Sequence, residues 1–488
     1  MARFALKEKG ERSPITTNLA GGKAYAQDAK HELVNMVLTN LVKDQFYRSA
    51  DDTLVRLREL LDEVDPKFAA KLAIYARHEM FVRSISHVLA AEVTFRVAGP
   101  PTQAKEPSWI PFFIEKVVAR ADDISEIASY YMVTYGAMPT RLKKGLALAL
   151  QNLDGYSLAK YNSNNRLLNV LRLVHPRPTE ALTQLTRGTL PAPETWEVKL
   201  SQAGQSENVE EAKTEAWGEL VTSRKIGYMA LLRNLRNIAQ DAPEVLDEAL
   251  ARITFPLEVH RGKQFPVRYL NAGYEIANSD LTDPIKRKII NKLEDAIAVA
   301  VDNVPELEGN TVIFVDNSGS MHSYGNIGKA TNAEIAAIFA GAMAKKNNAD
   351  IIVFSSDAEY VLYNPGDTIF NIASQILGYS EPSATYLGAA ISAMTARYDR
   401  IIIFSDMQTW VETTHRRASH VQLLDEYEKK FDVKPYIYSI DLAGYGSTNW
   451  EQGRVVQIAG LNEKIFDLME MVEQDREALI HEIERVQI

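Results

Sequence analysis

The chain has 488 residues, of which 46 % are apolar and 24 % charged. That is an ordinary globular composition, long enough for two or three domains with sizeable cores. Cysteine is absent, which excludes disulfides, zinc–thiolate sites and thiol catalysis and fits a reducing cytoplasm. No apolar run is long enough to span a membrane, and the charges in Met1-Ala2-Arg3-Phe4-Ala5-Leu6-Lys7-Glu8-Lys9 interrupt any signal-peptide core. The net charge of −10 is uneven: residues 1–300 hold 40 Lys and Arg against 37 Asp and Glu, residues 301–488 hold 14 against 27.

From about residue 29 to residue 300 the apolar positions recur at helical spacing. Leu54, Leu57, Leu61 and Val64 are one such row, Leu142, Leu146 and Leu150 another, and Leu231, Leu235 and Ile238 a third. Prolines punctuate the rows at Pro100-Pro101, Pro107, Pro111, Pro176, Pro178, Pro191 and Pro193. Many helices joined by short turns predict an α-solenoid, with a long surface loop from Pro191 to Glu211. Between Arg141 and Arg187 eight basic residues face only Asp154 and Glu180. Such a stretch is a candidate phosphate-binding surface or a solvated helix face.

Near Val304-Pro305 the pattern changes. Apolar runs at 311–316, 350–354, 401–405 and 435–441 alternate with helical segments near 330–347, 367–378, 386–397 and 416–431, and a helix over 463–486 closes the chain. Alternation of this kind predicts a mostly parallel sheet covered on both faces. The expected domains are therefore 1–304 and 305–488. The strand Thr311–Val315 delivers Asp316-Asn317-Ser318-Gly319-Ser320 into a strand-to-helix crossover. In an open α/β sheet, ligands bind at that end of the strands. Oxygen-only donors on turning backbone suit an octahedral Mg²⁺ or Mn²⁺ that keeps some waters, although a Ser/Asp helix cap without metal gives the same triplet.

The run Val315-Asp316-Asn317-Ser318-Gly319-Ser320-Met321 resembles the metal-ion-dependent adhesion motif of von Willebrand factor A domains. The resemblance implies Mg²⁺ (or Mn²⁺) held by Asp316, Ser318 and Ser320, completed by Thr385 and Asp406 from two later loops. The family loop usually has glycines before its Thr and an Asp after it. Here Ser383, Ala384 and Tyr386 stand at those places.

The helical half resembles a second family. Lys160-Tyr161 and Leu171-Arg172-Leu173-Val174-His175-Pro176-Arg177-Pro178 look like a signature of the TROVE module. So do Trp217-Gly218-Glu219-Leu220, Leu231-Leu232-Arg233-Asn234-Leu235 and Phe265-Pro266-Val267-Arg268-Tyr269-Leu270-Asn271-Ala272, with Leu72-Ala73-Ile74-Tyr75-Ala76-Arg77 ahead of them. A TROVE module followed by an A domain is the layout of the Ro autoantigen family. The resemblance implies a ring-shaped, HEAT-like α-solenoid followed by a doubly wound von Willebrand factor A-type domain. It also implies a cytoplasmic, monomeric, non-catalytic RNA-binding protein. Its partners would be small noncoding Y-type RNA, the single-stranded ends of misfolded RNA, and an exoribonuclease tethered through RNA. The residues expected to meet RNA, as a group, are Lys143, Lys144, Lys160, Arg166, Arg172, His175 and Arg177; Arg233 and Arg236, opposite the Leu231 row, are free to meet RNA or solvent. Leu167 and Leu168 replace polar residues that the family often shows. The alternative function is a metal-dependent protein-interaction module without RNA. Hydrolysis is not expected, because His322 lacks a triad-like setting.

Overall fold

A computed structural model describes residues 15–17, 23–26, 28–39, 50–98, 108–162, 165–193, 195–262, 264, 266–304, 306–323, 330–379, 385–407, 418–443, 447–448, 455–459, 469 and 478–488. The chain forms two compact units. One consists of Met1–Leu60 with Val304–Ile480, the other of Leu61–Asn303 with His481–Ile488. Each unit takes two stretches of chain, so the units are not the consecutive segments 1–304 and 305–488. Backbone pairing explains part of this. Strand β1 (Ile15–Thr17) pairs antiparallel with β2 (Lys23–Ala26), and β2 pairs with the short strand Ser447–Thr448 of the same unit. In the other unit Lys71 and Lys116 donate to the carbonyls of Glu484 and Gln487.

The sheet unit is built on β3 (Thr311–Asp316), β4 (Asp350–Phe354), β5 (Ala358–Val361), β6 (Arg400–Ser405), β7 (Tyr436–Asp441), β8 (the Ser447–Thr448 strand) and β9 (Val456–Ala459). Its six-stranded sheet has the order β5-β4-β3-β6-β7-β9, parallel except for the antiparallel edge strand β5. Every residue of β3 and β6 is buried, as expected of strands covered on both faces. Val312, Phe314, Ile401 and Ile403 pack with Leu387, Ile391, Leu424 and Tyr427 on one face. On the other, Phe404 meets Phe339 with ring centroids 6.4 Å apart. Phe339 belongs to the helix Asn332–Asn347, whose start is fixed by a reciprocal cap between Thr331 and Glu334. Successive strands leave β3 on opposite sides, so the carboxyl ends of β3 and β6 form a topological switch point.

The helical unit is a succession of packed helix pairs of the HEAT-like kind, and the sheet unit is of the doubly wound von Willebrand factor A type. Its helices start where local chemistry says they should. Asp65 caps the helix Pro66–His78 by accepting from the Phe68 backbone N–H at 3.1 Å, with proline at the first turn. Helices Ile110–Val117 and Thr140–Gln151 approach so closely that a Cβ on Gly145 would lie 2.6 Å from Ile114 Cβ. Only glycine fits there. The expected loop Pro191–Glu211 is corrected: it contains the helix Trp196–Ala203 and the start of the helix Val209–Thr222. Thr195 caps the first of these through the Val198 N–H at 3.2 Å, and its first residue, Trp196, lies near-parallel to buried Trp217, centroids 6.3 Å apart. The prolines that suggested a loop all lie ahead of that cap. Of the expected closing helix 463–486, Ala478–Arg485 is helical and most of the remainder lies outside the described residues, as does Pro305.

A buried polar knot ties three helices of this unit. Asp123 is fully buried and receives Arg77 at 2.9 Å, His87 Nε2 at 2.8 Å, and the Ala119 and Arg120 N–H groups at 2.9 Å each. Burial alone would raise its pKa, but the His87 hydrogen bond and the Arg77 charge outweigh it and hold the carboxyl well below the usual range. A depressed folded-state pKa contributes stability above the ordinary carboxylate value, about 3.9, and that contribution is lost as pH falls below it. Asp123→Ala should destabilise the protein by about 3–5 kcal/mol, because it strands a buried guanidinium. Chemical denaturation at neutral pH measures this loss. A cost below about 0.5 kcal/mol would mean that the knot contributes little.

Candidate functional site

Within the helical unit a cavity of about 1040 Å³ is walled by two stretches of chain, Arg83 to Tyr161 and Thr195 to Gln264. Three helices begin at its walls: Arg120, Thr195 and Gly227 are their N-cap residues. Helix N-termini carry partial positive charge, offset at the Arg120 helix by Asp122 and Asp123 in its first turn. Arg83, Arg120 and Lys160 face it from the first wall; Arg224, Lys225, Arg233, Arg252 and Arg261 face it from the second. Against these eight cations stand two carboxylates, Glu197 and Glu258.

The cations differ in how they are held. Arg83 and Arg120 share Asp122, at 2.5 and 2.9 Å. Arg120 also lies over the Tyr161 ring, 4.4 Å from its centroid. Arg252 is buried and serves as a clamp: it pairs with Glu258 at 2.9 Å and donates to the carbonyls of Val221 and Ile226. Arg224 reaches the same Glu258 at 3.6 Å. By contrast Lys160, Arg233 and Arg261 are exposed, and among the described residues no salt bridge is found for them. Lys160 lies 5.7 and 5.6 Å from the centroids of Tyr156 and Tyr161. The floor is rigid. Tyr228 donates to the Ile253 carbonyl at 2.7 Å and meets Tyr269 at 2.9 Å, and burial pushes its phenol pKa up. A Cβ on Gly262 would lie 2.6 Å from that Tyr228 ring.

Of the seven residues expected to meet RNA, Lys160 lines this cavity and the other six do not. Lys143 and Lys144 sit on the helix Thr140–Gln151. Arg166 and Arg172 sit on the helix Arg166–Val174, with Arg166 3.0 Å from Glu126. His175 ends that helix in the left-handed conformation, φ 50°, and Arg177 follows, both exposed. Of the pair left open in the sequence, Arg233 lines the cavity and Arg236 lies 3.5 Å from Glu275. Arg83, Arg120, Arg224, Lys225 and Arg261 escaped sequence reasoning. Apart from the adjacent Arg224 and Lys225 they are far apart in the chain, and only helix stacking gathers them.

A second cluster lies at the switch point of the sheet unit. Asp316 ends β3, and Asp406 follows β6. Asp316, Ser318, Ser320, Thr385 and Asp406 are all buried. Asp316 accepts from the Ser318 N–H at 2.9 Å and from the Ser405 hydroxyl at 2.6 Å. Burial pushes its pKa up, against the pull of those hydrogen bonds. Ser318 precedes a short 3₁₀ turn, Gly319–His322, without capping it through its side chain, and its hydroxyl lies 3.4 Å from that of Ser320. His322 meets the Asn317 side chain at 2.8 Å. In the third loop, Ser383 and Ala384 lie outside the described residues. Tyr386 is buried, its N–H bonded to the Ser355 carbonyl at 2.8 Å and its hydroxyl to that of Ala418 at 2.9 Å. The backbone after Asp406 turns through a left-handed Met407, φ 60°. Among the described residues no group of three or more His, Cys, Asp or Glu gathers. Nor is any helix among them long and apolar enough to cross a membrane.

Comparison with known proteins bears on the helical unit and on the fold as a whole. Residues 183–282 match the TROVE domain family, a stretch that contains the whole second wall of the cavity. The RNA-binding protein RO60 of Deinococcus radiodurans is 20 % identical over 481 residues, spanning 87 % of this chain and 88 % of that protein. Telomerase protein component 1 of Mus musculus is 35 % identical over 368 residues, 55 % of this chain, and the chain spans 14 % of that relative's length. The crystal structure of the Deinococcus radiodurans RO (RSR) protein shares the fold, with a TM-score of 0.57 at 17 % identity over 85 % of this chain and 93 % of that one. A TROVE match on the cavity wall, a Ro relative aligned over most of its length and the fold of a Ro protein make the chain similar to the Ro autoantigen family.

Proposed function

We propose that this protein binds RNA without catalysing a reaction on it, and acts as a scaffold in RNA quality control. The observation that carries this is the cavity, whose eight cations and two carboxylates surround aromatic rings. Phosphates are neutralised by such cations with release of counterions, and unstacked bases find aromatic faces there. A duplex offers its bases no such access. The cavity therefore suits the single-stranded ends of misfolded RNA. Structured Y-type RNA is assigned to the separate basic face of Lys143, Lys144, Arg166, Arg172, His175 and Arg177, and through that RNA an exoribonuclease would be tethered. The relatives named for RNA binding and for telomerase support RNA as the partner class. A non-catalytic role is supported by His322, the base nearest the buried hydroxyls in sequence, which is engaged with Asn317. The protein is read as a cytoplasmic monomer.

The switch-point cluster favours a metal-dependent protein contact as a second activity. Its donors are two carboxylates and three hydroxyls, all oxygen and all buried, which fits a hard divalent ion and not a soft one. Asp316, Ser318, Ser320, Thr385 and Asp406 would hold Mg²⁺, with Mn²⁺ as a substitute. The ion would supply a positive charge able to accept an acidic side chain from a partner. If RNA binding were absent altogether, this site would be the chain's main activity.

Two outcomes are expected. Reversing Lys160, Arg233 and Arg261 to Glu should weaken binding of an RNA with a single-stranded tail by orders of magnitude and reduce the slope of log K against log salt by about three. Filter binding across a salt series measures both, and an unchanged affinity would reject the cavity. Separately, Asp316→Ala and Ser318→Ala should each abolish Mn²⁺ binding, followed by calorimetry, with RNA affinity intact because the cavity belongs to the other unit. A variant that stays folded yet loses RNA would tie the metal to the RNA site and overturn the two-site reading.

A further inference from the structure

We infer that Trp196 is a preformed stacking platform for one unpaired nucleobase, a subsite within the cavity that takes any base. The inference rests on the reading of the cavity as an RNA site and adds the group that holds a base there.

Four aromatic residues line the cavity: Tyr156, Tyr161, Trp196 and Tyr228. Three are poorly placed to receive a base. Tyr228 is 8 % exposed and its hydroxyl is committed to Ile253 and Tyr269. Tyr161 already carries the Arg120 guanidinium at 4.4 Å and the Lys160 ammonium at 5.6 Å. Tyr156 is 49 % exposed, with the Lys160 ammonium 5.7 Å from its ring centroid, so ordering it against a base would cost rotamer entropy.

Trp196 differs on each count. It is partly exposed and lines the cavity. Its ring is near-parallel to that of Trp217, with 19° between the planes and 6.3 Å between centroids. Trp217 is 1 % exposed and its indole N–H donates to Asp241 at 3.2 Å, so the backing ring is itself fixed. The backbone of Trp196 is set by the Thr195 cap, which is buried at 9 % exposure and bonded to the Val198 N–H at 3.2 Å. An indole set beside a fixed, near-parallel ring loses less freedom on binding than a fully exposed one, which is a usual source of affinity in preorganised sites. The exposed cations Lys160, Arg233 and Arg261 share the cavity and would take the flanking phosphates. Indole stacking discriminates little among bases, because every base has a π face. The subsite therefore recognises an unpaired base as such.

The test compares wild type and three variants on two probes. The probes are a short single-stranded oligoribonucleotide and an abasic oligomer of the same phosphate count. Trp196→Ala should weaken the first roughly 5- to 150-fold and leave the second unchanged, while Trp196→Phe should keep most of the affinity for the first. Thermal melting of both variants checks that the wall survives, and Trp196→Phe keeps the test open if the alanine variant does not fold. Equal weakening on both probes, or no weakening on either, would overturn the inference, since Trp196 would then be part of the wall or irrelevant. A Lys160→Glu, Arg233→Glu control that binds both probes as tightly as wild type would instead sink the cavity reading beneath it.

Discussion

Like charges do not gather unless something else holds them. Unit charges 4 Å apart repel by about 4 kcal/mol at an effective dielectric of 20, yet eight cations share one cavity of this protein. Two devices make that possible. Carboxylates, Asp122 for Arg83 and Arg120, and the lining Glu258 for Arg252 and Arg224, neutralise part of the charge and fix the guanidinium planes. Apolar helix faces, with residues such as Leu231, Leu235 and Ile238 fully or almost fully buried, then hold the walls in place whatever the charges prefer. The charge left over, on Lys160, Arg233 and Arg261, is what a polyanion would relieve.

The same division of labour shows in how far the sequence could be read. Positions that depend on local periodicity were legible: the buried strands at Thr311–Asp316 and Arg400–Ser405, and the helix Asn332–Asn347 with Ile335, Ile338 and Phe339 in its core. The helix Trp196–Ala203 was missed because flanking prolines imitate a loop, while its real start signal is a single threonine at 195. The departure of residues 1–60 and 481–488 from the simple partition was invisible for a different reason. Strand partners hundreds of residues apart, such as Tyr25 and Thr448, leave no local trace.

The two candidate sites contrast in the same terms. At the switch point, Asp316, Ser318 and Ser320 are close in sequence and follow one strand, so a motif exposes them. Asp406 and Thr385 are placed by the parallel order of β3 and β6 and by the loop fixed through Tyr386. In the cavity only Lys160 and Arg233 belonged to segments that sequence reading singled out. Arg83, Arg120, the adjacent pair Arg224 and Lys225, Arg252 and Arg261 arrive separately from helix ends. A run of basic residues in sequence, such as 141–187, points to a surface. A concave site assembled from two walls does not announce itself as a run.

The central claim is that RNA occupies a cavity assembled from both walls. Photocrosslinking a single-stranded RNA carrying one 4-thiouridine near its end, followed by mass spectrometry of the attached peptides, tests this most directly. Crosslinks should fall on peptides from both stretches, Tyr156–Tyr161 and Thr195–Gln264. Crosslinks confined to 311–448, or to the basic face of 166–177 alone, would contradict it.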